Sequence, residues 1–492
     1  MIKNERQYRI TRASAETFAR ALAVLDSRAP SPDVHPLLLK AERDGVASQL
    51  EELRDQLREY EALKSGSQPV VAIDSLAELP RQLVRARIAS GLSHKELAAR
   101  LNMKEQQVQR YEATEYEGAS LSRLQEVCAA LNVNILEHVF MPTRGRAAKT
   151  LFKRFNDVGL DKDFISSRLV PDDVAARAAA DEAGGDDLVF HAAAAAGRIY
   201  GWTPTAILGS EGLPLAGSVA GAARFKLRAR ADEKKLSAYT IYAHYLAGLV
   251  LRATEGLSAR PLPTDADEVR AAILGTYGRV DFATALAYVW DHGVPVLPLS
   301  DSGAFFGAFW RVGGRNVIVL KQRTQFPARW LDDLLHEFRH AGEEPGEASR
   351  TVLEAPETSE ERRTSDEEIE ATVFASDVVL DGRAEEIVER CIKATKSGRG
   401  GPGRLEVLKS VVPAIAGEEG VPVDSLANYL AYRLAGSKMN WWGAATNLQR
   451  TGVNPWEIAR DALLTRVKLA RLEDWDRRLL TRALTSEWED KP

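Results

Sequence analysis

A chain of 492 residues is longer than one hydrophobic core usually serves, so its length calls for several domains. Its net charge of −5 at pH 7 gives no overall reason to expect nucleic acid, and no uninterrupted apolar run approaches the roughly 18 to 20 residues of a membrane helix. The N-terminal MIKNERQYRI carries charge where a secretory signal needs an apolar core, and only Cys128 and Cys391 could pair. The composition therefore predicts a soluble, cytoplasmic protein with two buried cysteines and no membrane partner.

From Ser14, Phe18, Ala21, Leu22 and Leu25 recur on one helical stripe that stops near Pro30. A second helix is predicted from Pro36 to Lys64, where Val46, Leu50, Leu53, Leu57 and Tyr60 recur at spacings of four and three. Residues 1–68 thus read as a helical hairpin, either packed on itself or serving as a dimerisation arm. SGSQP, Ser65 to Pro69, reads as a linker.

Residues 75–142 read as a bundle of short helices. Ser75 with Glu78, and Ser93 with Glu96, form the S-x-x-E pattern of a capping box. Asn102 and Met103 turn the chain into a third helix, Lys104 to Glu112, with Val108 and Tyr111 on its inner face. Lys104, Gln106, Gln107 and Arg110 are left outward. A short helix with amides and an arginine on its free face suits the major groove, since glutamine can pair with adenine and arginine with guanine. Between Arg81 and Arg154 there are 13 Lys and Arg against 7 Asp and Glu, a local basic excess in an acidic chain. The stretch SHKELAARLNMKEQQVQRYE resembles the Xre helix-turn-helix family. That resemblance implies a five-helix module, generally dimeric, reading a double-stranded operator. Asn102 stands where the family usually has glycine, and asparagine tolerates the left-handed conformation.

Residues 150–222 read as a helical bridge of unassigned role. From residue 236 the pattern becomes mixed. VPVLPL, GAFFGAFWRV and NVIVLK read as strands, and the last two form a hairpin with Gly313 and Gly314 in its turn. His191, His244 and His292 have no partners at helical spacing and read as packed or surface histidines.

LLHEFRH, 334 to 340, places His336 and His340 four apart on one helical face with Glu337 after the first. Two imidazoles suit Zn2+, and a catalytic zinc requires a third protein ligand. The next helix, SDEEIEATVFASDVVLD, offers Glu368, one turn before Ala371, and Glu370, one turn before Phe374, near its start. The Gly-, Pro- and Glu-rich stretch from Gly342 to Thr364 reads as a loop with few apolar anchors. Helices are predicted through 386–492, with Trp441 and Trp442 as core anchors or a partner surface.

The segments GAFWRVGGRNVIVLKQRTQFPARWLDDLLHEFRHAG and EEIEATVFASDVVLD, and more loosely NWWGAATNLQRTG, resemble the ImmA/IrrE family of zinc metallopeptidases. The resemblance implies a zincin-like α+β fold over 236–385, an antiparallel strand lining the cleft, and Glu368 as third ligand with Glu370 the fallback. Arg339, Thr372 and Asp381 depart from the family pattern without removing a ligand. The chain is thus expected to be multidomain and mainly α. Its expected function is a DNA-binding regulator with a zinc endopeptidase domain, Glu337 taking the proton of a zinc-activated water during attack on a protein substrate. The alternative is a transcription factor whose zincin-like domain senses a ligand or partner and cleaves nothing.

Overall fold

The computed structural model describes residues 1–27, 36–65, 76–133, 146–180, 184–215, 231–301, 305, 307–322, 324–354, 365–396, 404–436 and 439–485. Two compact units divide the chain, Met1–Val139 and Phe140–Pro492. None of the helices described is long and apolar enough to cross a membrane.

The first unit opens with α1 (Glu5–Ser27) and α2 (Pro36–Ser65). They pair head to tail: Glu5 meets Lys64 at 3.1 Å, Tyr8 donates to Glu61 at 2.6 Å, and Arg43 meets Asp26 at 2.5 Å. These exposed pairs fix register more than they add stability. The first helix starts well before Ser14 because Asn4 and Gln7 form a reciprocal cap. Asn4 Oδ1 accepts from the Gln7 amide at 2.9 Å, and Gln7 Oε1 accepts from the Lys3 amide at 2.8 Å.

Four short helices follow, α3 (Leu79–Ala89), α4 (His94–Arg100), α5 (Glu105–Ala113) and α6 (Leu121–Leu131). Ser93 and Glu96 make the expected capping box, and Asn102 adopts φ 50°, the left-handed turn between α4 and α5. Ser75 lies outside the described residues. The N-cap residue of α3 is Glu78, whose side chain makes no capping hydrogen bond, with Pro80 setting φ in the first turn. A fifth helix of the bundle would also fall outside the described residues. Ile2, Tyr60 and Leu63 share one core with Leu83, Leu97, Val108 and Val127, so the hairpin is packed into the bundle.

The second unit begins with α7 (Arg146–Asp157), α8 (Lys162–Phe164) running into a π-turn, α9 (Asp172–Ala180), α10 (Gly184–Tyr200) and α11 (Pro204–Leu208). Then come α12 (Ala231–Ala253), α13 (Ala266–Tyr277) and α14 (Phe282–Asp291). Strands β1 (Val296–Pro298), β2 (Gly307–Val312) and β3 (Arg315–Leu320) precede α15 (Pro327–Gly342), and β4 (Ser349–Glu354) precedes α16 (Asp366–Val379). The chain closes with α17 (Ala384–Lys396), α18 (Arg404–Glu419), α19 (Val423–Gly436), α20 (Trp442–Asn447), α21 (Pro455–Arg466) and α22 (Asp474–Ala483). The linker expected from Ser65 to Pro69 lies, after Ser65, outside the described residues.

The sheet has the order β1-β3-β2-β4, with β1 parallel to β3 and the other pairs antiparallel. Gly313 and Gly314, at φ 57° and 77°, turn β2 into β3. Both central strands are buried along most of their length, which explains their continuous apolar runs. The structure corrects the loop expected from Gly342 to Thr364, because Ser349–Glu354 pairs with all of β2. SRTVLE is polar and short, so its strand character comes from its partner and not from its own pattern. Leu151, Phe155 and Val189 of the bridge share one core with the sheet and with Trp456, Leu463 and Leu480 near the C-terminus. A smaller core under α17 to α20 contains Trp441 and Cys391.

Candidate functional site

Pro327 occupies the first turn of α15, and Trp330, Leu331, Leu334, Leu335 and Phe338 are buried beneath it. That apolar stripe fixes the helix's rotation and turns His336 and His340 together toward α16. Ser365 caps α16 by accepting from the Glu368 amide at 3.4 Å, which puts the Glu368 side chain in the first turn.

Three ligand atoms converge there. His336 Nε2 lies 3.1 Å from His340 Nε2 and 3.2 Å from Glu368 Oε2, and His340 Nε2 lies 3.8 Å from the same oxygen. Ligands at about 2.0–2.1 Å from a tetrahedral zinc stand about 3.3 Å apart, so the spacing fits one ion. The proton positions point the same way. Thr372 Oγ1 donates to the Glu368 carbonyl at 2.9 Å, leaving its oxygen only as an acceptor for His336 Nδ1 at 3.4 Å. Oxygens of Glu367 and Glu343 stand 3.4 and 3.6 Å from His340 Nδ1 and favour a proton there. With both Nδ1 atoms protonated, the two Nε2 lone pairs and a carboxylate oxygen could face one cation, and this cluster could hold a metal ion.

The electrostatics are correspondingly skewed. Burial alone would lower the His340 imidazole, but Glu343, Glu367 and Glu368 push it up to about 11. Burial would raise Glu368, yet His336 and His340 hold it well below the usual carboxylate range. Glu370 is placed elsewhere, 62% exposed and paired with Arg339 at 3.1 Å. Arg339 also bonds Glu343 at 2.7 Å and is thereby held in an ion-pair chain on the helix flank.

Glu337 is fully buried. It packs on Gly307 at the start of β2, where an added Cβ would lie 2.5 Å from Glu337 Oε1. Only glycine leaves room for the carboxylate at this contact. Opposite Gly307 in register stands Glu354, so the edge strand β4 ends across from the glycine that Glu337 packs on.

Two supporting residues had no signal in the sequence reading. Buried Arg311 of β2 donates to the carbonyls of Ala341, Glu343 and Glu344 at 2.8, 3.0 and 2.5 Å, closing the C-terminus of α15 next to His340. Arg350, its cross-strand neighbour, bonds Glu343 and Glu367 at 2.8 and 2.6 Å. His191, His244 and His292 lie apart from the cluster. His191 stands 3.5 Å from Asp187, His244 packs edge-on to Trp310, and His292 Nδ1 meets the Tyr288 carbonyl at 2.9 Å.

In the first unit, α5 exposes Lys104, Gln106, Gln107 and Arg110 and buries Val108 and Glu112. Tyr111 is half-buried and stacks on Tyr116 at 5.7 Å. Gln107 Oε1 accepts from the Lys104 amide at 3.3 Å, so part of that side chain caps its own helix. Among the described residues, the side chains of Gln106 and Arg110, one turn apart, have no hydrogen-bond partner. Behind them Arg87 and Glu112 form a bidentate buried pair at 2.6 and 2.7 Å, joined by His94 at 3.0 Å. Lys3 Nζ donates to the Glu112 carbonyl at 2.6 Å, and Arg87 donates to the Lys3 carbonyl at 2.6 Å. The recognition face is thus set by a lock spanning the N-terminus, α3, α4 and α5. Residues 83–138 match the helix-turn-helix family. The match covers the four short helices from mid-α3 onward and gives this unit a DNA-binding helix-turn-helix domain. No curated protein and no solved structure matches the chain.

Proposed function

We propose that the protein is a transcriptional regulator that reads double-stranded DNA through its helix-turn-helix domain, as a homodimer, and carries a zinc-dependent endopeptidase site of the ImmA/IrrE kind in its second unit. The observation that carries the peptidase reading is the convergence of His336, His340 and Glu368 beside a buried Glu337. Those three side chains would hold the ion, which supplies Lewis acidity to a water and to a peptide carbonyl. Glu337, adjacent to the first histidine and pressed against Gly307, takes the proton of the attacking water and returns it to the departing amine. Strand β4 offers an outer edge with no partner strand among the described residues, where an extended substrate can add main-chain hydrogen bonds. Thr372, Glu343 and Glu367 hold the proton of each histidine on Nδ1.

The test is cleavage of a cellular protein by the full chain in a host extract. Cleavage that disappears on removal of zinc supports the peptidase. Zinc binding without any cleavage would leave a sensor of a ligand or partner in its place.

For the DNA half, Arg110→Ala and Gln106→Ala should each reduce discrimination between operator and random duplex by about 1–3 kcal/mol. Lys104→Ala should weaken both nearly equally, as loss of a phosphate contact does. Binding titrations at two salt concentrations separate these behaviours. Uniform weakening by all three variants would remove the base-reading roles.

A further inference from the structure

A cavity of about 490 Å³ opens beside His336, between α15, α16, α19 and α20, with Arg329, Asp332, Asp333 and Trp442 in its wall. Arg329, Asp332, Asp333 and His336 fall at i, i+3, i+4 and i+7 of α15, a single face about 10 Å long at 1.5 Å per residue. The two aspartates already have amide donors. Asn428 donates to Asp332 at 2.8 Å and Gln322 donates to Asp333. Arg329 differs. Its guanidinium lies 4.3 Å over the Trp442 ring, which holds it rigid and half-buried, and among the described residues no hydrogen bond or ion pair uses its donors. Burial lowers its proton affinity by more than the neighbouring Asp332 and Asp333 raise it.

We propose that this cavity is an anion subsite of the same active site, in which Arg329 binds the carboxylate of an acidic residue of the substrate; this rests on the peptidase reading above. A rigid planar fork with free donors is suited to bidentate carboxylate binding. The nearby aspartates disfavour a dianion such as phosphate. Burial pushes the Asp332 carboxyl up to about 7, so near neutrality it competes weakly for Arg329 and can donate to a bound carboxylate. A span of about 10 Å is about three extended residues, less the reach of a glutamate side chain, so the acidic residue lies within one to three positions of the cleaved bond.

The test uses full-length Glu337→Gln protein and capped pentapeptides of alanine in which one glutamate is walked through every position, each with its glutamine counterpart. Calorimetric titration should show at least one register in which glutamate binds about tenfold tighter than glutamine, a preference that Arg329→Gln abolishes and Arg329→Lys partly keeps. Succinate binding that Arg329→Gln also abolishes would support the carboxylate site with a free acid as its source. Equal affinities in every register, no binding by any glutamate peptide, or a preference for lysine peptides would overturn the proposal. Zinc analysis of the same samples keeps the two readings apart. A zinc site without glutamate preference removes the subsite alone, and a glutamate preference in protein whose zinc content is nil or unchanged by His336→Ala removes the metal site alone.

Discussion

Glu112→Ala should destabilise the unit Met1–Val139 by about 3–5 kcal/mol, because it strands a buried guanidinium without its partner. Arg87 and Glu112 are 3% and 1% exposed, so water cannot replace the lost contact. The same change frees His94 and loosens Arg87, whose guanidinium also holds the Lys3 carbonyl, so operator binding should fall with stability although Glu112 faces away from the outward residues. Burial would raise the Glu112 carboxyl, but His94 and Arg87 outweigh it and hold it below its ordinary value of 4.5. A depressed carboxyl stabilises the fold above its unfolded pKa, and that contribution is lost as pH falls through the folded value. The wild type should therefore approach the Glu112→Ala variant in stability as pH falls below the ordinary carboxylate range. Urea melts of the two proteins at neutral and acid pH make the comparison. Equal midpoints at neutral pH would show that the lock carries no stability.

Glu337→Gln is the second change expected to act strongly. Removing a positioned general base costs typically about 10²–10⁴ in rate, whereas zinc should stay because Glu337 is not one of the three converging ligands. The amide keeps the shape of the carboxylate, so the contact with Gly307 is preserved. Gly307→Ala attacks the same function from the other side. Its Cβ would sit 2.5 Å from Glu337 Oε1 and push the carboxylate off the water, again with zinc retained. Parallel assays of cleavage and zinc content decide the matter. Undiminished cleavage by Glu337→Gln would remove the general-base role.

The legible part of the site was its local part. His336 and His340 share a face through helical spacing alone, and the apolar stripe of α15 reveals which way that face turns. The outward face of α5 and the capping box of α4 were readable for the same reason. Glu368 could be weighed against Glu370 from sequence only through family resemblance, since each lies one turn before a residue of the buried stripe of α16. The difference arises from Arg339, which draws Glu370 away across a gap of 31 residues. Arg311, Arg350 and Thr372 act through chain segments distant in sequence, and no periodicity encodes such contacts. Lys3, Arg87 and Glu112 meet across separations of 84 and 109 residues. Strand β4 was hidden because an edge strand can be polar, its pairing dictated by β2. The bridge had no assigned role from its own pattern, yet its apolar faces complete the core around the sheet.

The peptidase reading requires His336, His340 and Glu368 to hold one metal ion. The direct measurement is zinc content of the purified full-length protein by mass spectrometry, beside His336→Ala, His340→Ala, Glu368→Ala and Glu370→Ala variants confirmed as folded by circular dichroism. About one zinc per chain is expected in the wild type and in Glu370→Ala, with near-complete loss in both histidine variants and marked loss in Glu368→Ala. Equal zinc in the wild type and the histidine variants, or none in any of them under zinc-replete expression, would contradict it.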